Sequence, residues 1–248
     1  MNNEPGEGDA VAVVIGASGG VGAALVEQLA AGGRFLHIVA LSRSTPAVVD
    51  KPTVVRGRID LADEPSIIAA AEQARAVGGE IRLVIVATGL LHDGDVAPEK
   101  SWASLDAAAM ARCFAVNSIG PALVAKHFLP LLPRKRRSVF AALSARVGSI
   151  GDNRLGGWYS YRASKAALNM LLKTCAIELE RRAPQAICVG LHPGTVDTAL
   201  SKPFSANVRP QQLFTAEQSA AHLLSVIDGL RATDSGRVFA WDGQPVPP

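Results

Sequence analysis

Short apolar runs alternate along this chain with longer segments whose apolar residues recur every three or four positions. Ala10 to Ile15, Phe35 to Leu41, Val54 to Arg58, Ile81 to Ala87, Ser138 to Leu143, Ala186 to Leu191 and Arg237 to Trp241 read as strands. Ala23 to Ala31, Glu64 to Ala76, Leu105 to Leu132, Trp158 to Arg182 and Ala216 to Leu230 carry the helical period between them. Strands that are apolar throughout are buried on both faces, so the pattern predicts an α/β fold with a parallel sheet between two helical layers. Residues 10–248 form one domain in this reading, behind a polar, disordered tail of residues 1–9.

The interruptions are as informative as the periods. Asn117 and Gly120 break the apolar run of the Leu105 to Leu132 helix, and a buried Asn there must be hydrogen-bonded. Ser160 is placed to cap the helix that follows it. Thr195 to Phe214 has little periodicity and contains Pro203 and Pro210, which suits a mobile segment covering a substrate. Leu90 to Lys100 is a loop, and its His92-Asp-Gly-Asp95 stretch reads as a turn, since no other histidine completes a metal ligand set.

The first strand runs straight into Gly16-x3-Gly20-x-Gly22 and then a helix. Strand, glycine turn and helix together suit a dinucleotide pyrophosphate, because glycines let the backbone approach it and a helix N-terminus favours its charge. An ordinary glycine turn has the same letters. The second strand ends at Ser42-Arg43-Ser44 with no acid beside it, which favours a 2′-phosphate on Arg43 and so NADP(H) over NAD(H). Asp60 ends the third strand, as an acceptor for an adenine amino group or as a turn residue.

Composition narrows the setting. The 248 residues are 48% hydrophobic and 19% charged with a net charge of +3, a globular balance. The cluster Arg134-Lys135-Arg136-Arg137 has no interleaved aromatics and reads as a solvated turn, not a nucleic-acid patch. Cys113, Cys175 and Cys188 are odd in number and sit in apolar contexts, which suits buried thiols in the cytoplasm. The N-terminal residues do not resemble a targeting peptide, and no run approaches the ~20 apolar residues of a membrane span.

Tyr161 and Lys165 are four apart on one helix face. An ammonium one turn away favours a phenolate, so the sequence predicts a tyrosine of lowered pKa that exchanges a proton with a substrate oxygen. Trp158, Leu90, Leu200 and Phe204 are candidate walls for that substrate.

The ordered set Gly16-x3-Gly20-x-Gly22, Asp60, Asn117, Ser144, Tyr161-x3-Lys165 and Pro193-Gly194-x3-Thr198 resembles the short-chain dehydrogenase/reductase family, over residues 10 to 243. The segments Ser144 to Ile150 and Tyr159 to Asn169, with the ending Phe-Ala-Trp-Asp-Gly, are similar to its C-factor and sniffer-like carbonyl reductases. The resemblance implies a single Rossmann-type, doubly wound parallel sheet of about seven strands and hydride transfer with NADP(H). It implies a small carbonyl or alcohol substrate, a homodimer or homotetramer, and no metal, nucleic acid or membrane partner.

By position it makes Tyr161 the proton donor, Lys165 its electrostatic partner and ribose ligand, Ser144 the hydroxyl that steadies the substrate oxygen, and Asn117 the anchor of a relay water. Gly16, Ser18, Gly20, Val21 and Gly22 would form the pyrophosphate turn. Asp60 with Leu61 would face the adenine, Thr88 and Gly89 would line the cofactor, and Pro193, Gly194, Val196 and Thr198 would hold the carboxamide. Three positions depart from the pattern. Val86-Ala87-Thr88-Gly89 replaces the family's Asn-Asn-Ala-Gly, and Ile15 replaces a Thr. The family's serine precedes a glycine by three residues, yet three before Gly148 stands Ala145, so Ser144 is taken for its place at the strand end, with Ser149 as the fallback.

Overall fold

The computed structural model describes residues 9–44, 50–94, 96–201 and 213–248. In chain order the elements are β1 (Ala10–Ile15), α1 (Gly20–Gly32), β2 (His37–Ser42), β3 (Val54–Arg58), α2 (Glu64–Ala76), β4 (Glu80–Val86), α3 (Ala107–Phe114) and α4 (Gly120–Phe128). After these come β5 (Ser138–Leu143), α5 (Tyr159–Arg182), β6 (Ala186–His192), β7 (Thr195–Val196), β8 (Leu213–Phe214), α6 (Ala216–Gly229) and β9 (Val238–Ala240).

Every residue of β1 and β5 is buried, as strands without a polar face require. Seven strands form one parallel sheet in the order β3-β2-β1-β4-β5-β6-β9, the Rossmann-like arrangement expected. Alternate residues divide the core. Val11, Val13, Ile15, Phe140 and Cys188 pack with residues of α2, α4 and α5 on one face. Ala12, Val14, Ile187 and Leu191 pack with α1 and α6 on the other. The strand order reverses between β1 and β4, so the carboxyl ends of these strands flank the crevice where doubly wound sheets bind ligands.

Two predicted elements differ in kind. The single helix expected over Leu105 to Leu132 is α3, a π-helical turn over Ala115–Ile119, α4 and a 3-10 turn over Leu129–Leu131. Gly120 and Pro121 follow the π turn, and Pro130 lies in the 3-10 turn. The whole run, Ala107–Leu131, is long and apolar enough to cross a membrane by length and composition, contrary to the reading that no run came near. Here it is a layer helix. Its Val124, Ala125 and Phe128 pack on the sheet, and its Asn117 and Ser118 bond to α5. The segment from Thr195, read as irregular, begins and ends in strands, since β7 pairs in parallel with β8. Phe204, Pro203 and Pro210 lie outside the described residues, as do Asp95 and the tail before Asp9.

Candidate active site

The glycine turn is built by close backbone approach. The Gly16 and Ala17 amides donate to the Leu41 carbonyl at 2.8 and 3.0 Å, tying the turn to the end of β2. Gly16 has φ +92°, and a Cβ there would meet the Ala87 backbone at 2.6 Å. At Gly22 a Cβ would overlap the Gly16 carbonyl, so a side chain would force turn and helix apart. The helix α1 starts at Gly20 with no side-chain cap on its first turn. Gly20, Val21, Gly22 and Arg43 line one cavity of about 660 Å³, a size suited to a ligand, together with Tyr161 and Lys165. Thr88, Gly89, Pro193, Gly194, Val196 and Thr198 line it as well.

The helix carrying Tyr161 and Lys165 is capped from a distance. Ser160, expected as the cap, lies inside the first turn instead. Trp158 is the residue before the helix, in the left-handed region at φ 52°. The cap is Glu99, which is 6% exposed: its carboxylate accepts from the Ser160 amide at 3.1 Å and from the Ser160 hydroxyl, and its carbonyl accepts from the Trp158 amide. An anion at the first turn satisfies orphan amides and opposes the helix dipole favourably.

Within that frame Tyr161 and Lys165 are both buried. The Lys165 ammonium stands 5.8 Å from the centre of the Tyr161 ring and donates to the Leu143 carbonyl at 2.7 Å. The expectation of a lowered tyrosine pKa is corrected here. Burial dominates both groups, raising the Tyr161 phenol to about 12 and lowering the Lys165 ammonium to about 8. The phenol is therefore held protonated at neutral pH, the form needed by a donor.

Asn117 sits in the π turn with its amide fully committed. Its Oδ1 accepts from the Leu90 amide at 2.7 Å, and its Nδ2 donates to the Leu90 carbonyl at 2.8 Å and to Ser164 Oγ at 3.0 Å. It therefore fastens the loop after β4 to α5. Gly89 lies between the two, since a Cβ there would stand 3.8 Å from both Asn117 Oδ1 and Lys165 Nζ. Thr88, at the position where the family has Ala, has a buried hydroxyl with no partner among the described residues.

Of the two candidate serines, Ser144 lines the cavity and Ser149 does not. The Ser144 hydroxyl donates to Asn169 Oδ1 on α5 at 2.6 Å. Ser149 Oγ accepts from the Asp152 amide at 3.0 Å and lies 3.3 Å from the Pro248 carbonyl, and the residue is not in the cavity wall. Ala145 is the residue that packs with Tyr161 and Leu91, beside Val147, Trp158 and Leu200. The wall beside the phenol is thus apolar at the point where the family places a hydroxyl. Leu91 supplies the wall expected of Leu90, which turns into a separate cluster with Val96 and Cys113.

Four expected cofactor residues are not in the cavity wall: Gly16, Ser18, Asp60 and Leu61. Gly16 shapes the turn, as described, and Ser18 is exposed. Asp60 Oδ1 accepts from the Ala62 amide at 3.0 Å, the turn role, and Leu61 packs against Gly120. The sequence reading missed Glu99, Asn169 and His192. The last lines the cavity, and burial with the nearby Arg146 charge holds it down to about 4, against the pull of Asp242. Its position two residues before Gly194, at the end of a buried strand, was the available signal.

Comparison with known proteins agrees with this geometry. The sequence profile of the family described as short chain dehydrogenase matches residues 10–209. The chain is 38% identical to the C-signal of Myxococcus xanthus over 149 residues, covering 59% of this chain and 84% of that protein. It is 31% identical over 231 residues to the 1-hydroxy-2-glutathionyl-2-methyl-3-butene dehydrogenase of Rhodococcus sp. (strain AD45), covering 93% of this chain and 96% of that one. Among solved structures, an NADPH-bound carbonyl reductase from chicken fatty liver superposes with a TM-score of 0.82 at 26% identity, covering 96% of this chain and 94% of that one.

Proposed function

The chain belongs to the short-chain dehydrogenase family of NAD(P)-dependent oxidoreductases, and on that premise we propose that it reduces small ketones or aldehydes with NADPH, or runs the reverse alcohol oxidation. One observation carries the reading: a buried, protonated Tyr161 stacked one turn from Lys165 on the wall of a cavity that also reaches the glycine turn. The residues fit a dinucleotide. The uncapped start of α1 suits a pyrophosphate, Arg43 suits a 2′-phosphate, and the Thr88 hydroxyl, unpartnered among the described residues, offers a further polar group in the same wall. The NADPH named for the chicken carbonyl reductase supports the choice of NADP(H).

When bound, the reduced nicotinamide supplies a hydride. Tyr161 donates its phenolic proton to the carbonyl oxygen as negative charge gathers there, a downhill transfer because an alkoxide is a stronger base than a phenolate. Lys165, anchored on the Leu143 carbonyl, keeps a positive charge beside that ring and eases the departure of the proton. Asn117 and Ser164 hold the Leu90 backbone and α5 in register around the pair. Ala145 and Leu91 press an apolar wall on the phenol and exclude water from it.

The same Ala145 favours a second reading, a dinucleotide-binding regulatory protein with little turnover, because a methyl group stands at the position beside Tyr161 where the family has a hydroxyl. Purified protein, NADPH and a panel of aldehydes and ketones separate the two by loss of the reduced-cofactor absorbance. We expect consumption in the wild type and a loss of at least about 100-fold in kcat for Tyr161→Phe, with NADPH affinity retained. Tight NADPH binding with no consumption across the panel selects the regulatory reading.

A further inference from the structure

Three cations line the cavity among the described residues, Arg43, Lys165 and Arg146, and no carboxylate does. Arg43 and Lys165 have work in the reaction proposed above. Arg146 has none. It opens the 3-10 turn Arg146–Gly148 next to Ala145, and Ala145 and Val147 line the cavity with it.

The side chain of Arg146 is aimed, not loose. Its Nε donates to Asp152 Oδ2 at 2.6 Å, and the Asp152 amide is in turn held on Ser149 Oγ at 3.0 Å. Asp152 itself is outside the cavity wall. A pair made through Nε occupies one edge of the guanidinium and leaves the two terminal amino groups, and the side chain is 56% exposed. An ion pair this exposed orients a side chain more than it quenches its charge. The charge reaches the interior of the site, since it is one of the causes that keep the neighbouring His192 neutral, after burial itself.

Leu91, Val147, Trp158 and Leu200 pack around Ala145, the residue before Arg146, and give this part of the wall an apolar face. An apolar slot with one forked cation at its edge is complementary to a molecule with an apolar body and a planar anion. We propose that Arg146 holds a carboxylate of the substrate, so that the favoured substrates are carbonyl compounds bearing a carboxylate across a short apolar body. The proposal rests on the reductase reading and narrows its substrate class.

The test compares 4-formylbenzoate with methyl 4-formylbenzoate, which differ in charge and share the reacting aldehyde. Two quantities are read for the full chain: kcat/KM with NADPH, and calorimetric affinity for the complex with NADP+. We expect the acid to be favoured at least about tenfold in both, about 1.4 kcal/mol. The ratio falls to near one in R146Q, is partly restored in R146K, and shrinks with added salt. Equal affinity and equal turnover of acid and ester in the wild type overturn the proposal and leave the reductase reading intact. Tighter binding of the acid with no turnover of either compound supports the Arg146 site and sinks the reductase reading. A preference that survives R146Q overturns the assignment, and an unchanged preference with lost NADPH affinity moves Arg146 to the cofactor.

Discussion

Removal of the Glu99 carboxylate tests how the reactive helix is held. The side chain is 6% exposed and gives its two oxygens to the amide and hydroxyl of Ser160, 61 residues away in sequence. Each charge-assisted hydrogen bond of this kind contributes about 1.5–3 kcal/mol, and an anion at a helix start adds about 0.3–2 kcal/mol. Burying the charge costs several kcal/mol in return, which Glu99→Ala recovers. The balance is a net loss of about 3 kcal/mol for Glu99→Ala and about 1 kcal/mol for Glu99→Gln, which keeps the shape and one acceptor. Urea unfolding followed by far-UV circular dichroism reads both, as a lower midpoint at unchanged slope. Because Tyr161 follows Ser160 directly, the alanine variant should also lose turnover while its folded fraction at 25 °C stays high. A Glu99→Ala midpoint matching that of the wild type would refute the view that this carboxylate is the cap.

Three further expectations are independent of that one. Ala145→Ser restores a hydroxyl to the wall beside Tyr161 and should raise kcat for carbonyl reduction at least tenfold, given that one oxyanion donor is worth about 10²–10³; an unchanged kcat removes that wall from the reacting oxygen. His192 is held at about 4 against an ordinary 6.5, so the unfolded chain binds more protons between these values and stability falls as pH drops from 6.5 towards 4. Its share is about 2 kcal/mol between pH 7 and pH 5, and His192→Asn should remove that share from the pH dependence of unfolding; an identical pH profile would count against it. Arg43→Asp places a carboxylate where the 2′-phosphate is proposed to sit and should turn the NADP/NAD preference towards NAD by at least about tenfold, measured as a ratio of kcat/KM; an unmoved ratio takes Arg43 out of the site.

The legible parts of this protein are the local ones. Val54–Arg58 and Glu64–Ala76 were readable to the residue because each is bounded by turn or capping residues that act within a few positions. The glycine turn was readable because strand, turn and helix follow one another directly. The helix pair Tyr161 and Lys165 was readable by spacing, but the direction of the tyrosine shift was not. That direction follows from how much of the ring the fold removes from water, a sum over Leu91, Ala145 and other distant residues. Glu99 was invisible for the same reason, since a cap 61 positions away leaves no signature beside the helix. Leu90 and Leu91 exchanged roles because a loop has no period from which to tell an inward side chain from its neighbour.

The π-helical turn at Ala115–Ile119 amounts to one residue more than a regular helix would hold over the same span. Deleting a single residue there would leave a regular spiral over the same span, with the segments before and after it still in phase. Cys113, which meets Leu90 and Val96, and Asn117, which grips the Leu90 backbone, now address the same loop from successive turns. The surplus residue is therefore taken up locally, between two halves of one rod that keep their alignment. Homologues of different loop length after β4 are expected to differ at this place first.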